Sequence, residues 1–287
     1  MTSPDLLLRL DEIDNLPTLP VVVRQIQKLI ANPHSSMAQI AQVISRDQAI
    51  TSRVIRLVNS AYYGLGGRVS SIQQAIVILG LNTVKNLVLG VSIVKTFERH
   101  GSASLFDREE LWKHSFAVAL GAKMMAQKAK KPESEDYFIS GLLHDIGILV
   151  LDQFFHDELV SVVKRALLDK IDYPEAEFQV LGLTHSEIGA ALAGKWQIPL
   201  FIADTIRFHH RPLLGKPEHP DSPDKIMIVH VADGMARKKG LGRFCSQWKK
   251  GFEDDALART GFLQADLDDL FEKVEAEVKN LMREWEM

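Results

Sequence analysis

The sequence predicts an all-α protein built from many short amphipathic helices. Two capping boxes, Ser36-Met37-Ala38-Gln39 and Ser71-Ile72-Gln73-Gln74, each open a segment with periodic apolar residues. In the first segment Ile40, Val43 and Ile44 recur at the spacing of one helical face. No sustained alternation of apolar and polar residues is bounded by hairpin turns, so the sequence predicts no strands.

The two parts of the chain differ in the residues they carry. Residues 1–100 contain short helical segments separated by Asn32-Pro33 and by a glycine-rich stretch at 63–67, whereas most histidines lie beyond residue 105. We therefore expect an N-terminal helical subdomain over residues 1–100 and a second helical subdomain over residues 101–287, and the pattern is equally compatible with two halves that share one core. The second subdomain is predicted to end in an amphipathic helix that starts near Asp266.

Composition and charge limit the classes of function. Hydrophobic residues make up 46% and charged residues 25% of the chain, which is typical of a soluble globular protein. The formal net charge of −3 provides no field that would hold nucleic acid or an anionic membrane. The short basic run of Arg237, Lys238, Lys239 and Arg243 is typical of a solvated helix end, so nucleic acid is not expected as a partner.

The location of the protein is predicted from three features. Met1–Asn15 contains several charged residues and does not resemble a secretory signal. The longest apolar runs, Phe138–Leu151 and Leu87–Val94, are shorter than the roughly 20 residues of a membrane helix. The single Cys245 excludes a disulfide framework and fits a reducing compartment. We expect a cytoplasmic protein with no membrane partner.

A set of histidines and aspartates provides the candidate chemistry. The apolar run Phe138–Leu151 is interrupted by the pair His144-Asp145, and burial of these groups costs several kcal/mol unless they are paired or bound to a cation. A carboxylate can bridge two metal ions while imidazoles complete the coordination of each. Mixed nitrogen and oxygen ligands suit iron, manganese or zinc better than calcium. The candidate metal ligands are His114, His144, Asp145, His185, His209, His210 and Asp233.

Each of the other candidates also has an ordinary structural interpretation. His114 could lie on a helix surface, and His185 could lie in a solvated first turn after Thr184. Imidazolium groups at His209-His210 would be favoured at a helix C-terminus without any ligand role. Asp233 could pair with Arg237 four residues later, and Glu110 could belong to a capping box with Asp107. Taken alone, only the His144-Asp145 pair indicates a function.

The ordered set resembles a known superfamily. His144-Asp145-Ile146-Gly147 is similar to the HDIG signature of the HD superfamily of metal-dependent phosphohydrolases. The order of the seven candidates resembles the HD-GYP branch, whose members hydrolyse cyclic di-GMP at a two- or three-metal centre. This resemblance implies one ion held by His114, His144, Asp145 and Asp233. It implies a second ion held by His185, His209 and His210, with Asp145 as the bridging, catalytic residue and Glu110 as a ligand to a third ion.

The sequence departs from the HD-GYP pattern at the positions that would meet a substrate. Ile148 stands where HD-GYP enzymes have a lysine directly after HDIG. Arg211-Pro212 follows the paired histidines in place of a continuation that contains glutamate, and no GYP sequence follows. The resemblance therefore implies metal ligands with an altered substrate end.

The N-terminal half resembles the HDOD domain family. Four segments carry this similarity, which extends from about Leu16 to Leu214; they are 16–20, 40–47, 54–64 and 71–80. HDOD domains resemble an HD-domain helical bundle with an N-terminal helical subdomain. They act mainly as regulatory or output modules in bacterial signalling, and many have lost the metal ligands.

A candidate interaction surface lies at the end of the third of these segments. Asn59 and Ser60 are expected to terminate a helix by bonding backbone groups. Tyr62 and Tyr63 provide rigid, amphipathic area that suits an interface. The alternative is that both tyrosines close the core of the bundle.

Two functional hypotheses follow from these resemblances. The first is a regulatory module that binds a signalling protein or a nucleotide and retains two divalent ions, with iron or manganese favoured and zinc as an alternative. The second is an active phosphohydrolase that acts on cyclic di-GMP or another phosphate ester, with metal ions that activate water. Homo-oligomerisation is compatible with either hypothesis.

Overall fold

The computed structural model describes residues 19–32, 34–60, 63–65, 67–97, 106–242, 251–252 and 254–284. Within these ranges, every element of regular secondary structure longer than one residue is a helix. The prediction of an all-α fold is therefore confirmed. The described residues divide into two units, one within 101–275 and the other within 17–100 and 276–287.

The described part of residues 17–100 forms five helices of one unit. They are α1 (Val21–Ala31), α2 (Met37–Ser45), α3 (Gln48–Val58), α4 (Ile72–Leu79) and α5 (Leu81–Thr96). Helix α5 is buried along most of its length and packs against α1, α3 and α4. It therefore forms the centre of this unit.

The helix starts in this unit follow the predicted capping residues. The Ser36 hydroxyl accepts from the Gln39 N–H at 3.2 Å, and the Gln39 side chain accepts from the Ser36 N–H at 2.7 Å, so the first capping box is confirmed. Ser71 also caps its helix by accepting from the Gln74 N–H at 3.2 Å. The Gln74 side chain accepts from the Ser70 N–H instead, so the second box is only half formed.

Asn59 closes the glycine-rich segment that follows α3. Its side-chain NH₂ donates to the Val69 carbonyl at 2.7 Å, and its side-chain oxygen accepts from the Val69 N–H at 3.0 Å. The Ser60 hydroxyl donates to the Leu57 carbonyl at 2.6 Å, which satisfies a carbonyl in the last turn of α3. Tyr63 is half-buried, and Tyr62 lies outside the described residues. The interaction surface predicted at Asn59, Tyr62 and Tyr63 remains a prediction.

We expect Asn59→Ala to lower the free energy of unfolding by about 1–3 kcal/mol, because it removes both hydrogen bonds to the buried Val69 backbone. Urea denaturation of the full chain measures this change. Gln73→Ala, at an exposed position of α4, is the control and should change stability by less than about 0.5 kcal/mol. Equal stability of the two variants would show that the Asn59 bonds do not hold this segment.

The unit that contains residues 101–275 carries the remaining helices. They are α6 (Arg108–Lys128), α7 (Ser134–Leu143), α8 (Ile146–Phe154), α9 (His156–Asp169), α10 (Tyr173–Leu181), α11 (His185–Lys195), α12 (Leu200–Phe208), α13 (Ser222–Lys239), α14 (Asp254–Thr260) and the first part of α15 (Gln264–Glu284). Helix α6 packs against α7 and α13, and α11 packs against α8 and α12. Helix α12 also contacts α7 and α13, so these six helices pack around a shared core.

One described stretch, residues 134–154, is long and apolar enough to cross a membrane by length and composition alone. In the structure 83% of its apolar window is buried inside the protein, as expected for core helices of a soluble domain. A turn at His144-Asp145 divides this stretch into α7 and α8. In the sequence the apolar run Phe138–Leu151 is shorter, and these two polar residues interrupt it.

Candidate metal centre

The turn between α7 and α8 directs Asp145 into the interior. Asp145 is the residue before the first turn of α8, but its carboxylate makes no capping bond to the helix. The side chain is only 1% exposed. A carboxylate in this position needs another source of positive charge or of hydrogen bonds.

Gly147, on the first turn of α8, allows the start of α11 to come close to Asp145. A Cβ atom at Gly147 would lie 1.9 Å from the carbonyl oxygen of His185, a distance that no side chain tolerates. The absence of a side chain at this position therefore lets the two helix starts meet. This contact fixes His185 beside the carboxylate.

The two oxygens of Asp145 face two different groups of imidazoles. Oδ1 lies 3.1 Å from His185 Nε2 and 3.4 Å from His209 Nε2. Oδ2 lies 3.2 Å from His144 Nε2 and 3.8 Å from His114 Nε2. Asp145 thus stands between the two groups, as a bridging carboxylate would.

The Nδ1 atoms of these four imidazoles face away from Asp145, and each meets an acceptor. His144 Nδ1 lies 2.7 Å from the Gly141 carbonyl, and His209 Nδ1 lies 2.8 Å from the Ile206 carbonyl. The other two contacts are His114 Nδ1 with the Leu241 carbonyl at 3.2 Å and His185 Nδ1 with the Glu177 carboxylate at 2.7 Å. When Nδ1 carries the proton, the Nε2 lone pairs are directed at the centre.

These contacts require more N–H donors than four neutral imidazoles provide. A neutral imidazole carries one N–H, yet these four rings meet an acceptor at Nδ1 and a carboxylate near Nε2. Protonation of all four would bury adjacent positive charges, since the centroids of the His144 and His209 rings are 5.0 Å apart. A metal cation between Nε2 and the carboxylates satisfies both groups without those extra protons.

Asp233 completes the group on the Oδ2 side. Its Oδ1 lies 3.0 Å from His114 Nε2 and 4.0 Å from His144 Nε2. Its Oδ2 lies 2.9 Å from an Nη2 atom of Arg237, one turn later on α13. Asp233 therefore makes the ordinary pair with Arg237 and also faces the two histidines.

His210 completes the group on the Oδ1 side. Its Nε2 lies 3.0 Å from His185 Nε2, and His185 Nε2 lies 3.5 Å from His209 Nε2. With metal–nitrogen distances of about 2.1 Å, neighbouring ligand atoms around one ion are about 3.0–3.4 Å apart. These separations match the spacing of atoms that share a coordination shell.

The surroundings shift the pKa values of His185 and His209 in opposite directions. Burial disfavours the charged form of His185, but the Glu177 and Asp145 carboxylates outweigh it and raise the pKa of His185 to about 10. Burial lowers the pKa of His209 to about 4, despite the Asp145 carboxylate nearby. His209 is therefore neutral near pH 7 and available as a nitrogen ligand.

The residues present fit a metal centre. Both oxygens of Asp145 and Nε2 of His144 are buried, and none of them is hydrogen-bonded within the described residues. The ligand atoms of Asp145, His185, His209 and His210 all lie within 4.8 Å of one another. Those of His114, His144 and Asp233 meet the same limit. The ligand chemistry is mixed nitrogen and oxygen, which suits a transition metal.

The structure brings all seven candidate ligands together from five separate stretches of the chain. The ordinary surface interpretations of His114 and His185 are wrong, because both side chains are fully buried. Glu110 belongs to neither group; its carboxylate lies 3.1 Å from Lys113 Nζ and is 31% exposed. Its N–H donates to the Asp107 carboxylate at 3.2 Å, as in the predicted cap.

Two residues that support the centre were not predicted from the sequence. Glu177 is fully buried on α10, and one oxygen of its carboxylate accepts from the His185 N–H at 3.0 Å and meets His185 Nδ1. His230 Nδ1 lies 2.6 Å from the His209 carbonyl, which holds the end of α12. The only signal for Glu177 is a charged residue on the otherwise apolar face of α10.

Comparison with known proteins identifies the class. The HDOD domain family matches residues 16–212. The chain belongs to the HDOD domain family, as predicted from its N-terminal segments and the HDIG-like sequence. A crystal structure of an HDOD domain protein of unknown function from Geobacter sulfurreducens is 28% identical, with a TM-score of 0.74 and 95% of each chain covered.

Two further relatives extend the comparison. A provisionally assigned phosphohydrolase from Shewanella amazonensis is 25% identical, with a TM-score of 0.70 and 96% of each chain covered. An uncharacterised protein of Treponema pallidum is 31% identical over 202 residues, or 70% of this chain. The chain spans 38% of the length of that relative and 31% of the length of YuxH, an uncharacterised Bacillus subtilis protein.

We expect Gly147→Ala to displace His185 from Asp145, because the added methyl group meets the His185 carbonyl, a backbone atom that cannot rotate away. Metal content and thermal stability should both fall. Gly194→Ala is the matched control on α11, since nothing lies within 4 Å of that position. The control should stabilise the helix by about 0.5–1 kcal/mol. Unchanged metal binding in Gly147→Ala would contradict the role assigned to this contact.

Proposed function

We propose that this chain is a bacterial signal-transduction regulator of the HDOD type that holds a dinuclear divalent metal centre around Asp145. The observation that carries this proposal is the position of the Asp145 carboxylate, with one oxygen facing each group of histidines. His185, His209 and His210 would hold one ion. His114, His144 and Asp233 would hold the other, with Asp145 between them.

Iron or manganese fits the proposed centre best, and zinc is the alternative. The donors are imidazole nitrogens and carboxylate oxygens, and no sulfur ligand is among them. Imidazole suits iron, copper, nickel and zinc, while carboxylate suits harder ions such as manganese. The two groups hold three or four protein ligands each, which leaves positions for water or an anion.

The surroundings of the centre favour a regulatory role over hydrolysis of a substrate. The side chains of His114, His144, His185, His209 and Asp233 are fully buried, which limits access for a large substrate such as a cyclic dinucleotide. Ile148, fully buried after the HDIG-like sequence, offers no charge to a phosphate. A centre of this kind suits a structural or sensing role.

An active phosphohydrolase is the second candidate. Its support is the complete ligand set, together with a similar structure that is provisionally assigned as a phosphohydrolase. Two divalent ions held by these residues would supply Lewis acidity to a phosphoryl oxygen. In that case this chain's own contribution is to orient four imidazoles through their Nδ1 contacts and to hold Asp145 between the groups.

A cytoplasmic location and a partner supplied by another chain belong to the same proposal. The partner would be a signalling protein or a nucleotide ligand, and the near-neutral net charge of −3 gives no support for nucleic acid or a membrane. A homo-oligomer is compatible with this role. Size-exclusion chromatography of the metal-loaded and metal-free forms compares their assembly states.

We expect Glu177→Gln to weaken metal binding about 10- to 100-fold, because it removes the carboxylate that orients His185 through Nδ1. Competition with a chromophoric chelator measures the affinity. Glu175→Gln is the matched control, an exposed glutamate on the same helix, and it should leave the affinity unchanged. Equal metal affinities for the two variants would show that Glu177 does not contribute to metal binding.

If the protein is a regulator, we expect no hydrolysis of cyclic di-GMP by protein that carries its full complement of metal. The assay is product detection by chromatography with iron-, manganese- and zinc-loaded samples. Turnover that is lost in Asp145→Asn would favour the phosphohydrolase and contradict the regulatory assignment. Asp157→Asn, at an exposed carboxylate on α9, is the control for this variant.

A further inference from the structure

Positive and negative residues are unevenly distributed along this chain. Residues 19–97 hold eight lysine and arginine residues and a single acidic residue, Asp47. The Asp47 carboxylate accepts from the Ile50 N–H at 3.0 Å, so it is engaged in capping α3. The rest of the chain holds 26 basic and 36 acidic residues. The net charge of −3 therefore combines a basic segment with an acidic remainder, and each copy of the chain carries both.

The outer face of α1 is basic. Val21, Arg24, Gln25 and Lys28 recur at the spacing of one helical face, and all four side chains are exposed. Val21 is 59% exposed, so an apolar side chain lies beside the charges. Neither Arg24 nor Lys28 forms an ion pair with any residue that the structure describes. Both cations on this face are therefore available to a partner.

The outer face of α15 is acidic. The helix contains seven acidic and three basic residues. Asp269, Glu272 and Glu275 follow one another at a spacing of three residues, and all three are exposed. Among the described residues none of the three is paired with a lysine or arginine, whereas Asp268 lies 3.5 Å from Lys239 Nζ. These three carboxylates are therefore available to a partner as well.

We propose that the partner of both faces is a second copy of this chain, with the α1 face of one copy docked against the α15 face of the other. The cations of α1 and the carboxylates of α15 recur once per helical turn, so they can pair across a contact between two helices. The contact uses none of the candidate metal ligands, so this inference does not depend on the proposed function.

The acidic face of α15 favours a second copy over other partners of a basic helix. Nucleic acid or an anionic membrane would attract α1 but would repel the exposed carboxylates of α15. A second copy satisfies both faces at once. Exposed ion pairs are individually weak, so the association should depend on protein concentration and should weaken as salt screens the charges.

Sedimentation velocity of the full chain, over a range of protein concentrations at low and high salt, measures the association. We expect the wild-type chain to associate at low salt. Arg24→Glu/Lys28→Glu should weaken this association at least about tenfold, because it sets like charges against α15. Lys164→Glu/Lys216→Glu makes the same change of charge at exposed positions outside α1 and α15, and it should associate like the wild type.

Exchange of the charges between the two faces gives the decisive comparison. Asp269→Lys/Glu272→Lys should also weaken the association on its own, because α1 then meets positive charges. An equimolar mixture of this variant with Arg24→Glu/Lys28→Glu sets the acidic α1 of one chain against the basic α15 of the other, so association should return. The chain with all four substitutions should associate with itself for the same reason.

Three outcomes would overturn the inference. They are a wild-type chain that stays monomeric at low salt, association that survives either charge reversal, and charge reversals whose effect the mixture does not restore. Arg24→Gln/Lys28→Gln, which keeps good helix formers, should weaken association in the same direction and replaces the reversed variant if that one does not fold. Duplex DNA or anionic vesicles that bind through Arg24 and Lys28 more tightly than a second copy does would also overturn it.

Discussion

The candidate site depends on a shortage of protons around one buried carboxylate. Asp145 lies in the turn between two apolar helices, and four imidazoles point their Nε2 atoms towards it and Asp233. Each of these imidazoles also meets an acceptor through Nδ1, so one proton per ring cannot satisfy both sides. Cations at the Nε2 side resolve this conflict, and the surrounding helices provide the ligands in two groups.

The packing of the helices sets this geometry. The absence of a side chain at Gly147 lets the starts of α8 and α11 meet. A Cβ atom at Gly242, where φ is +78°, would lie 2.4 Å from the His114 N atom, so glycine at this position lets the segment that carries the Leu241 carbonyl approach His114. Glu177 and His230 then fix His185 and the carbonyl of His209 from outside. The site is therefore held by backbone contacts and by a shell of acceptors, and a small displacement of one helix would disturb several ligands together.

The sequence predicted much of this arrangement because its strongest signal is physical. The polar pair His144-Asp145 lies in an apolar run, so it needs a charged or hydrogen-bonded partner once buried. The resemblance to the HD superfamily then indicated the other five candidate ligands. Capping at Ser36 was predictable because it is local. Glu177 was not, since its role depends on a contact between α10 and α11 that no spacing along the chain reveals. The capping box at Ser71 is only half formed because the Gln74 side chain accepts from the N–H of the neighbouring Ser70.

The assignment of a regulatory HDOD protein with a retained metal centre depends most on the presence and position of the ions. Anomalous diffraction from crystals of the full chain, recorded at the iron, manganese and zinc absorption edges, measures this directly. We expect two peaks about 3.5–4 Å apart, one on each side of the Asp145 carboxylate. Crystals grown with excess metal that show no anomalous peak among these seven side chains would contradict it.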